Sequence, residues 1–203
     1  MLVMSGSPVV GSSTEILLKA VAHSIVVGRG GEPTTVDFVR LGDLKFIPCQ
    51  ACGKAPTEGF CLYEDDLTGV YEQLATCDCL LLGSPVYFDS VSAQTKALVD
   101  RCNCFRPPDY DNIDPEHRFI RKLDRYIPGA MILVGGERGW FEGARRVVAG
   151  FFKWLDIGND GCLYHRTRDF TRKGTAANDP EAMSQAADLG LHLAEKIKEN
   201  QGR

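Results

Sequence analysis

The chain has 203 residues, of which 44% are hydrophobic and 25% are charged, a composition typical of one soluble domain with its own core. Its formal net charge of −4 argues against a nucleic-acid or acidic-membrane surface, because either would require a basic patch. It has no apolar run of the roughly 20 residues that a membrane span needs and no secretory leader pattern. We therefore expect a cytoplasmic protein whose eight cysteines are mostly reduced thiols.

The first third of the chain predicts two strands separated by a helix. Residues 2–4 form a short apolar run that leads into a polar loop. Ser12 and Glu15 follow with the spacing of a capping box, which satisfies backbone N–H groups at a helix start. Residues 34–41 alternate and contain β-branched side chains, which predicts the second strand. Residues 42–64 show no period and are expected to form a long cysteine-bearing loop.

The same alternation of strand and helix continues to the end of the chain. A buried strand is expected at 79–82, ended by Gly83-Ser84-Pro85, and a polar insertion at 103–125. Asp179 and Pro180 have the pattern that opens a final helix. The other predicted helices cover residues 66–75, 91–101 and 144–155, and the other strands cover 130–134 and 161–165.

Strands that alternate with helices predict a parallel sheet covered on both faces. Five strands fit the doubly wound order 2-1-3-4-5, in which ligands bind at the carboxyl ends of the strands. We therefore expect one α/β domain of the flavodoxin-like type over residues 1–203.

The loop after the first strand is rich in glycine and hydroxyl side chains and leads into a helix. Free N–H groups and the positive end of the helix dipole favour a phosphate at such a position. The loop lacks the Gly-Lys-Ser/Thr of a P-loop and the G-x-G-x-x-G of a dinucleotide site, so a single phosphate is favoured. An ordinary serine-rich turn remains the alternative. The hydroxyls that could donate hydrogen bonds belong to Ser7, Ser12, Ser13 and Thr14.

Two further strand ends carry features that suit a flat ring. Tyr87 and Phe88 follow the third strand, where aromatic faces can flank a ring, although aromatic residues also pack within their own domain. Gly135 and Gly136 follow the fourth strand, where glycine permits close backbone approach, and Trp140 lies just beyond. A plain flexible turn explains the glycines equally well.

Three segments, GSPVVGSSTEILLKA, CQACGKAPTEGFCLYEDDL and GSPVYFDSVSAQTKALVDR, resemble the NADPH-dependent FMN reductase family of flavodoxin-like proteins. The branch that they resemble includes the iron–sulfur flavoproteins. The resemblance implies an FMN phosphate on the first loop and an isoalloxazine ring bordered by the second and third strand ends. The cofactor-binding residues that we expect on this basis are Ser5, Ser7, Pro8, Ser12, Ser13, Thr14, Pro85, Val86, Tyr87, Phe88, Gly135 and Gly136.

The resemblance also implies an oxidoreductase that passes electrons from NAD(P)H through FMN to an unknown acceptor, assembled as a homodimer or homotetramer. The flavin would perform the chemistry, so no catalytic acid or base is expected. A non-enzymatic electron carrier is the alternative. A third possibility is a chain that has lost its flavin, because Val9 occupies a position where family members often carry arginine.

Three cysteines, Cys49, Cys52 and Cys61, fall where iron–sulfur flavoproteins carry four. Ala55 occupies the position of the missing one, and a cubane cluster usually needs four thiolates. The interpretation that we favour is therefore no metal, with an iron–sulfur cluster, zinc, a redox dithiol or a disulfide as alternatives. By chemistry alone, the candidates for a fourth ligand are Cys102 and Cys104.

Overall fold

The structure is a computed structural model that describes residues 1–53, 58–109, 119–123, 125–169 and 172–202. The predicted insertion at 103–125 therefore lies only partly within the described residues, and Ala55 lies outside them.

The described residues form a parallel sheet in the order β2-β1-β3-β5-β6, with the two-residue β4 added antiparallel to β3. Setting that short strand aside, this is the predicted doubly wound order 2-1-3-4-5. The central strands are mostly apolar and are buried except at the carboxyl ends of β3 and β5, as expected of a sheet covered on both faces. The strands are β1 Leu2–Ser5, β2 Asp37–Arg40, β3 Leu80–Tyr87, β4 Ser90–Val91, β5 Gly129–Gly136 and β6 Gly161–Thr167.

Five α-helices of the described chain divide between the two faces of the sheet. The first and last of them pack together over one core, and the remaining three cover a second core on the opposite face. None of the helices described combines the length and apolar character that crossing a bilayer requires. The helices are α1 Ser13–Gly28, α2 Leu67–Thr76, α3 Ala93–Arg101, α4 Glu142–Trp154 and α5 Pro180–Gln201.

The caps that the sequence predicts are present. The Ser12 hydroxyl accepts the Glu15 backbone N–H at 3.3 Å and opens α1. The Glu15 carboxylate does not complete the reciprocal box; it accepts the N–H of Gly11 at 2.9 Å instead. The Asp179 carboxylate accepts two N–H groups at the start of α5, with Pro180 in the first turn as expected.

The third strand is longer than predicted and does not end at Gly83-Ser84-Pro85. It continues to Tyr87 and turns back into β4. β1 ends at Ser5, opposite Gly83, so β3 has no partner on the β1 side beyond that point. Pro85 lacks a backbone N–H, but here no carbonyl of β1 needs a hydrogen bond from it. The predicted glycine turn after the fourth strand is likewise part of β5. Tyr87 therefore ends a strand, and Phe88 lies in a hairpin turn.

Candidate functional site

The loop between β1 and α1 is held in shape by its own hydroxyl groups. The buried Ser7 hydroxyl accepts the Val9 N–H at 3.2 Å, and the Ser5 hydroxyl accepts the Ser7 N–H at 3.3 Å. Pro8 and Val9 are exposed at the tip of the loop. Ser5 and Ser7 thus shape the loop that leads into α1.

Ser13 and Thr14 occupy the first turn of α1, where backbone N–H groups lack acceptors within the helix. The Ser13 hydroxyl accepts the Ala176 N–H at 3.1 Å and lies 3.4 Å from the Thr175 hydroxyl. The buried Thr14 packs its methyl group near Gly83, where an added Cβ would lie 2.8 Å from it. The structure therefore joins this predicted phosphate loop to the turn before α5 and to β3.

Sequence reasoning missed an ion pair behind this loop. The buried Glu15 accepts a hydrogen bond from Arg40 Nε at 2.6 Å, and Arg40 also contacts Asp43 at 2.5 Å. The hydrogen bond that Arg40 donates to Glu15 raises the pKa of Arg40, so the guanidinium of Arg40 stays charged. The sequence places Arg40 at the carboxyl end of the second strand, but no pattern in the neighbouring residues indicates that Glu15 is its partner.

Hydroxyl groups connect the first loop to β3 and α3. The Ser92 hydroxyl donates to the Gly6 carbonyl at 2.7 Å, and the Ser92 N–H donates to the Ser84 hydroxyl at 3.0 Å. Thr95 also donates to Ser84, at 3.2 Å. Gly6 is required here, since a Cβ at that position would lie 1.8 Å from the Thr95 hydroxyl oxygen. This network fixes the loop beside the β3–β4 hairpin.

The β3–β4 hairpin presents aromatic side chains to solvent. Phe88 and Asp89 both have left-handed backbone, with φ of 50° and 58°, as a two-residue hairpin of this type requires. The Phe88 side chain is fully exposed, and Tyr87 is about half exposed at 48%. Asp89 accepts the Gly143 N–H at 3.2 Å and so ties the turn to the start of α4. An exposed aromatic residue held in strained backbone is characteristic of a binding surface.

The predicted glycine loop lies next to this hairpin. Pro85 pairs in register with Val134, and an added Cβ on Gly135 would come within 3.7 Å of Val86 and 3.0 Å of the Phe141 ring. Three predicted groups of residues, from the ends of β1, β3 and β5, thus converge at one edge of the sheet. Trp140, beyond the glycines, is 76% exposed at the same edge.

A cavity of about 1000 Å³ opens beside this edge rather than within it. None of the twelve predicted cofactor residues lines it, although its Thr175 contacts Ser13. It lies between the end of β6, the loop that precedes α4 and the start of α5. The residues that line it are Glu137, Phe141, Glu142, Tyr164, His165, Arg166, Thr167, Arg168, Asp169, Thr175, Asp179, Glu181, Ala182 and Gln185.

His165 is the buried titratable group of this cavity. Its Nδ1 lies 3.7 Å from an Asp179 carboxylate oxygen, and within the described chain its buried Nε2 has no hydrogen-bond partner. Burial lowers the pKa of His165, and the nearby Asp179 opposes that effect only in part. The imidazole is therefore neutral at pH 7.

The three predicted cluster cysteines line a second cavity, of about 420 Å³, together with Cys104. Burial, and secondarily the neighbouring Cys61, raises the pKa of the Cys104 thiol to about 12. Across the described ranges, no three His, Cys, Asp or Glu side chains are grouped in a way that could hold a metal ion.

The neutral state of His165 predicts a pH-dependent stability. The unfolded chain binds this proton with the ordinary histidine pKa of 6.5, whereas the folded chain binds it less readily. The contribution of neutral His165 to the free energy of unfolding is therefore complete above pH 6.5. It is lost as the pH falls from 6.5 through the lower pKa that His165 has in the folded chain. We expect His165→Gln to flatten the fall in unfolding free energy between about pH 7.5 and pH 5.5 in urea titrations.

His23 is exposed on α1, so His23→Gln is the matched control and should leave the pH profile of the native chain unchanged. Parallel profiles for the native chain and His165→Gln would contradict the assignment of a neutral, buried His165.

Comparison with known proteins identifies the family. Residues 1–159 match the NADPH-dependent FMN reductase family. An iron–sulfur flavoprotein of Methanocaldococcus jannaschii is 28% identical over 96% of this chain and 95% of its own length. A second one, from Methanosarcina thermophila, is 30% identical over 76% of this chain and 71% of its own length.

Solved structures agree on the fold. An azoreductase superposes with a TM-score of 0.62 at 14% identity, covering 96% of this chain and 98% of its own. The apo form of an NADH:FMN oxidoreductase superposes with a TM-score of 0.61, also at 14% identity, covering 96% and 88%. The predicted flavodoxin-like fold and family resemblance are thus confirmed, and the chain belongs to the NADPH-dependent FMN reductase family.

Proposed function

We propose that this chain binds FMN along the carboxyl edge of its sheet and passes electrons from NAD(P)H through the flavin to an acceptor. The observation that carries the proposal is the convergence of three chain segments there: the start of α1, the β3–β4 hairpin and the end of β5. Membership of a flavin reductase family supports the same cofactor.

The phosphate of FMN would bind at the start of α1. Ser13 and Thr14 would contribute first-turn N–H groups and their side-chain hydroxyl groups, and Ser7 shapes the loop before them. With Val9 exposed and Arg40 neutralised by Glu15, phosphate binding depends mainly on neutral donors and the helix dipole. Such an arrangement is sufficient for one phosphate, because helix starts bind anions without a paired cation.

The ring of FMN would lie against the hairpin and the glycines of β5. Tyr87 and Phe88 are exposed aromatic residues with no part in the core, so they are available to cover a flat ring. The lack of side chains at Gly135 and Gly136 lets the backbone approach the ring closely. Burying this apolar surface under the ring would also exclude water from it.

When bound, FMN supplies the redox chemistry, accepting hydride from a nicotinamide and releasing electrons to an acceptor. The residues of this chain bind the phosphate, orient the ring and exclude water. No side chain need act as a general acid or base. Tyr87 and Trp140 are exposed at this edge, where NAD(P)H would reach the ring.

The phosphate assignment predicts that Ser13→Ala with Thr14→Ala weakens FMN binding. Losing hydrogen bonds to a charged group costs about 1.5–3 kcal/mol, so we expect a rise in Kd of roughly 10- to 100-fold. Fluorescence titration with FMN measures it. Ser24→Ala, near the opposite end of α1, is the matched control and should bind FMN as the native chain does. An unchanged Kd in the double variant would place the phosphate elsewhere.

The reductase assignment predicts that NADH or NADPH bleaches the flavin absorbance during anaerobic mixing. Stopped-flow spectroscopy on the flavin-loaded chain gives the rate with each nicotinamide. Slow bleaching by both, together with a stable one-electron semiquinone on chemical reduction, would reject the reductase and favour an electron carrier.

We also propose that the chain assembles as a homodimer or homotetramer through the edge that carries the flavin. Exposed apolar side chains at this edge support the proposal, because apolar surface is often covered in an assembly; they belong to Val9, Val10, Tyr87, Phe88 and Trp140. Light scattering should give a mass at least twice 22.3 kDa. A mass of one chain across a range of concentrations would refute assembly.

A further inference from the structure

The cavity of about 1000 Å³ beside the proposed flavin site has no role in the proposed function. Sites for small molecules usually measure roughly 300–1,000 Å³, so this cavity is large enough to hold one. Phe141 belongs to its wall and also lies against Gly135, where an added Cβ would be 3.0 Å from the phenyl ring. The cavity therefore adjoins the proposed flavin site without sharing the residues expected to hold FMN.

Several polar side chains of this cavity are already bonded within the protein. Glu142 is paired with two arginine side chains of α4, and the Asp179 carboxylate caps α5. The hydroxyls of Thr167 and Thr175 lie 3.1 Å apart, and Arg166 donates to two backbone carbonyls of the loop before α4. These groups build the wall and need no occupant.

Three polar groups of the cavity have no hydrogen-bond or ion-pair partner among the described residues. The first is Nε2 of His165, whose side chain is only 6% exposed. The other two are the carboxylate of Glu137 and the guanidinium of Arg168, both on exposed residues. One neutral nitrogen, one negative charge and one positive charge are thus available to a ligand.

The position of Asp179 shows what His165 requires from a ligand. A carboxylate oxygen of Asp179 lies 3.7 Å from Nδ1 and favours the tautomer that carries its proton there. The neutral imidazole then has a lone pair on Nε2. A buried acceptor without a donor is unfavourable, so Nε2 calls for an occupant with an N–H or O–H group.

The two charges and the aromatic wall narrow the class of ligand. A guanidinium binds a carboxylate through paired hydrogen bonds, whereas the Glu137 carboxylate attracts a cation. A ligand with a single charge would leave either Glu137 or Arg168 unpaired. The rings of Phe141 and Tyr164 also line the cavity, 5.3 Å apart in an edge-to-face contact, and Tyr164 is half exposed.

We propose that this cavity binds a free amino acid with an aromatic side chain. The ammonium group of the amino acid donates to His165 Nε2 and lies near the Glu137 carboxylate. Its carboxylate pairs with Arg168, and its ring packs against Tyr164. The site is separate from the flavin and does not depend on it.

Three small molecules that share a phenyl ring test the site on the full chain by ligand-observed NMR titration. L-Phenylalanine carries both charges, phenethylamine lacks the carboxylate and 3-phenylpropionate lacks the ammonium group. We expect 3-phenylpropionate to bind about tenfold more weakly than L-phenylalanine, because the buried Nε2 loses its donor. Phenethylamine should bind roughly three- to fivefold more weakly, since it loses an exposed ion pair. Equal affinities, or no binding of L-phenylalanine, would overturn the proposal.

Variants of the cavity locate the binding. His165→Phe keeps a ring but removes the acceptor, so it should raise the Kd of L-phenylalanine about tenfold and leave that of 3-phenylpropionate unchanged. His23→Phe, on the exposed face of α1, is its matched control. Arg168→Gln should raise the Kd of L-phenylalanine roughly three- to fivefold. Arg138→Gln is the matched control, because Arg138 is exposed nearby but does not line the cavity.

Circular dichroism reports whether each variant folds. Should His165→Phe fail to fold, the exposed Arg168 and the three ligands decide the matter on folded protein. Unchanged affinity for L-phenylalanine in a folded His165→Phe or in Arg168→Gln would overturn the proposal. Displacement of L-phenylalanine by FMN would overturn it too, because the cavity would then belong to the flavin site. A chain that binds L-phenylalanine but no FMN would refute the proposed function alone.

Discussion

The arrangement at the sheet edge depends on a close contact between the first loop and the start of α3. The Ser92 hydroxyl reaches the Gly6 carbonyl at 2.7 Å, and Thr95 lies where any side chain at residue 6 would have to be. Because Ser92 and Thr95 also bond Ser84, the contact holds the ends of β1 and β3 at one separation. The proposed flavin site lies across these two strand ends, so its width depends on this contact.

The helix α3 connects this contact to the cysteine cavity. Its first turn carries the hydroxyl network, and its last residue, Arg101, fastens the cysteine loop. A nine-residue helix is roughly 13 Å long. The proposed flavin site and the cysteine cavity therefore lie near opposite ends of one short helix.

Two largely buried arginine side chains each form an ion pair with a carboxylate at a loop. Glu15 and Arg40 neutralise each other behind the proposed phosphate site, and Arg101 meets Asp65 at the cysteine loop. Pairs of this kind contribute little net stability, because desolvation offsets their attraction. Their directional hydrogen bonds instead fix the positions of two loops, the loop before α1 and the cysteine loop.

The sequence by itself determined the alternation of strands and helices, the caps at Ser12 and Asp179 and the hydroxyl-rich loop, because periodicity and capping act over a few neighbouring residues. Only the tertiary structure decided that β3 continues through Pro85, because the residues around Pro85 do not indicate that β1 ends before it. It alone paired Arg40 with Glu15 and placed Cys104 rather than Cys102 at the cysteine cavity. Such contacts join residues tens of positions apart, and their partners are set by packing of the whole chain.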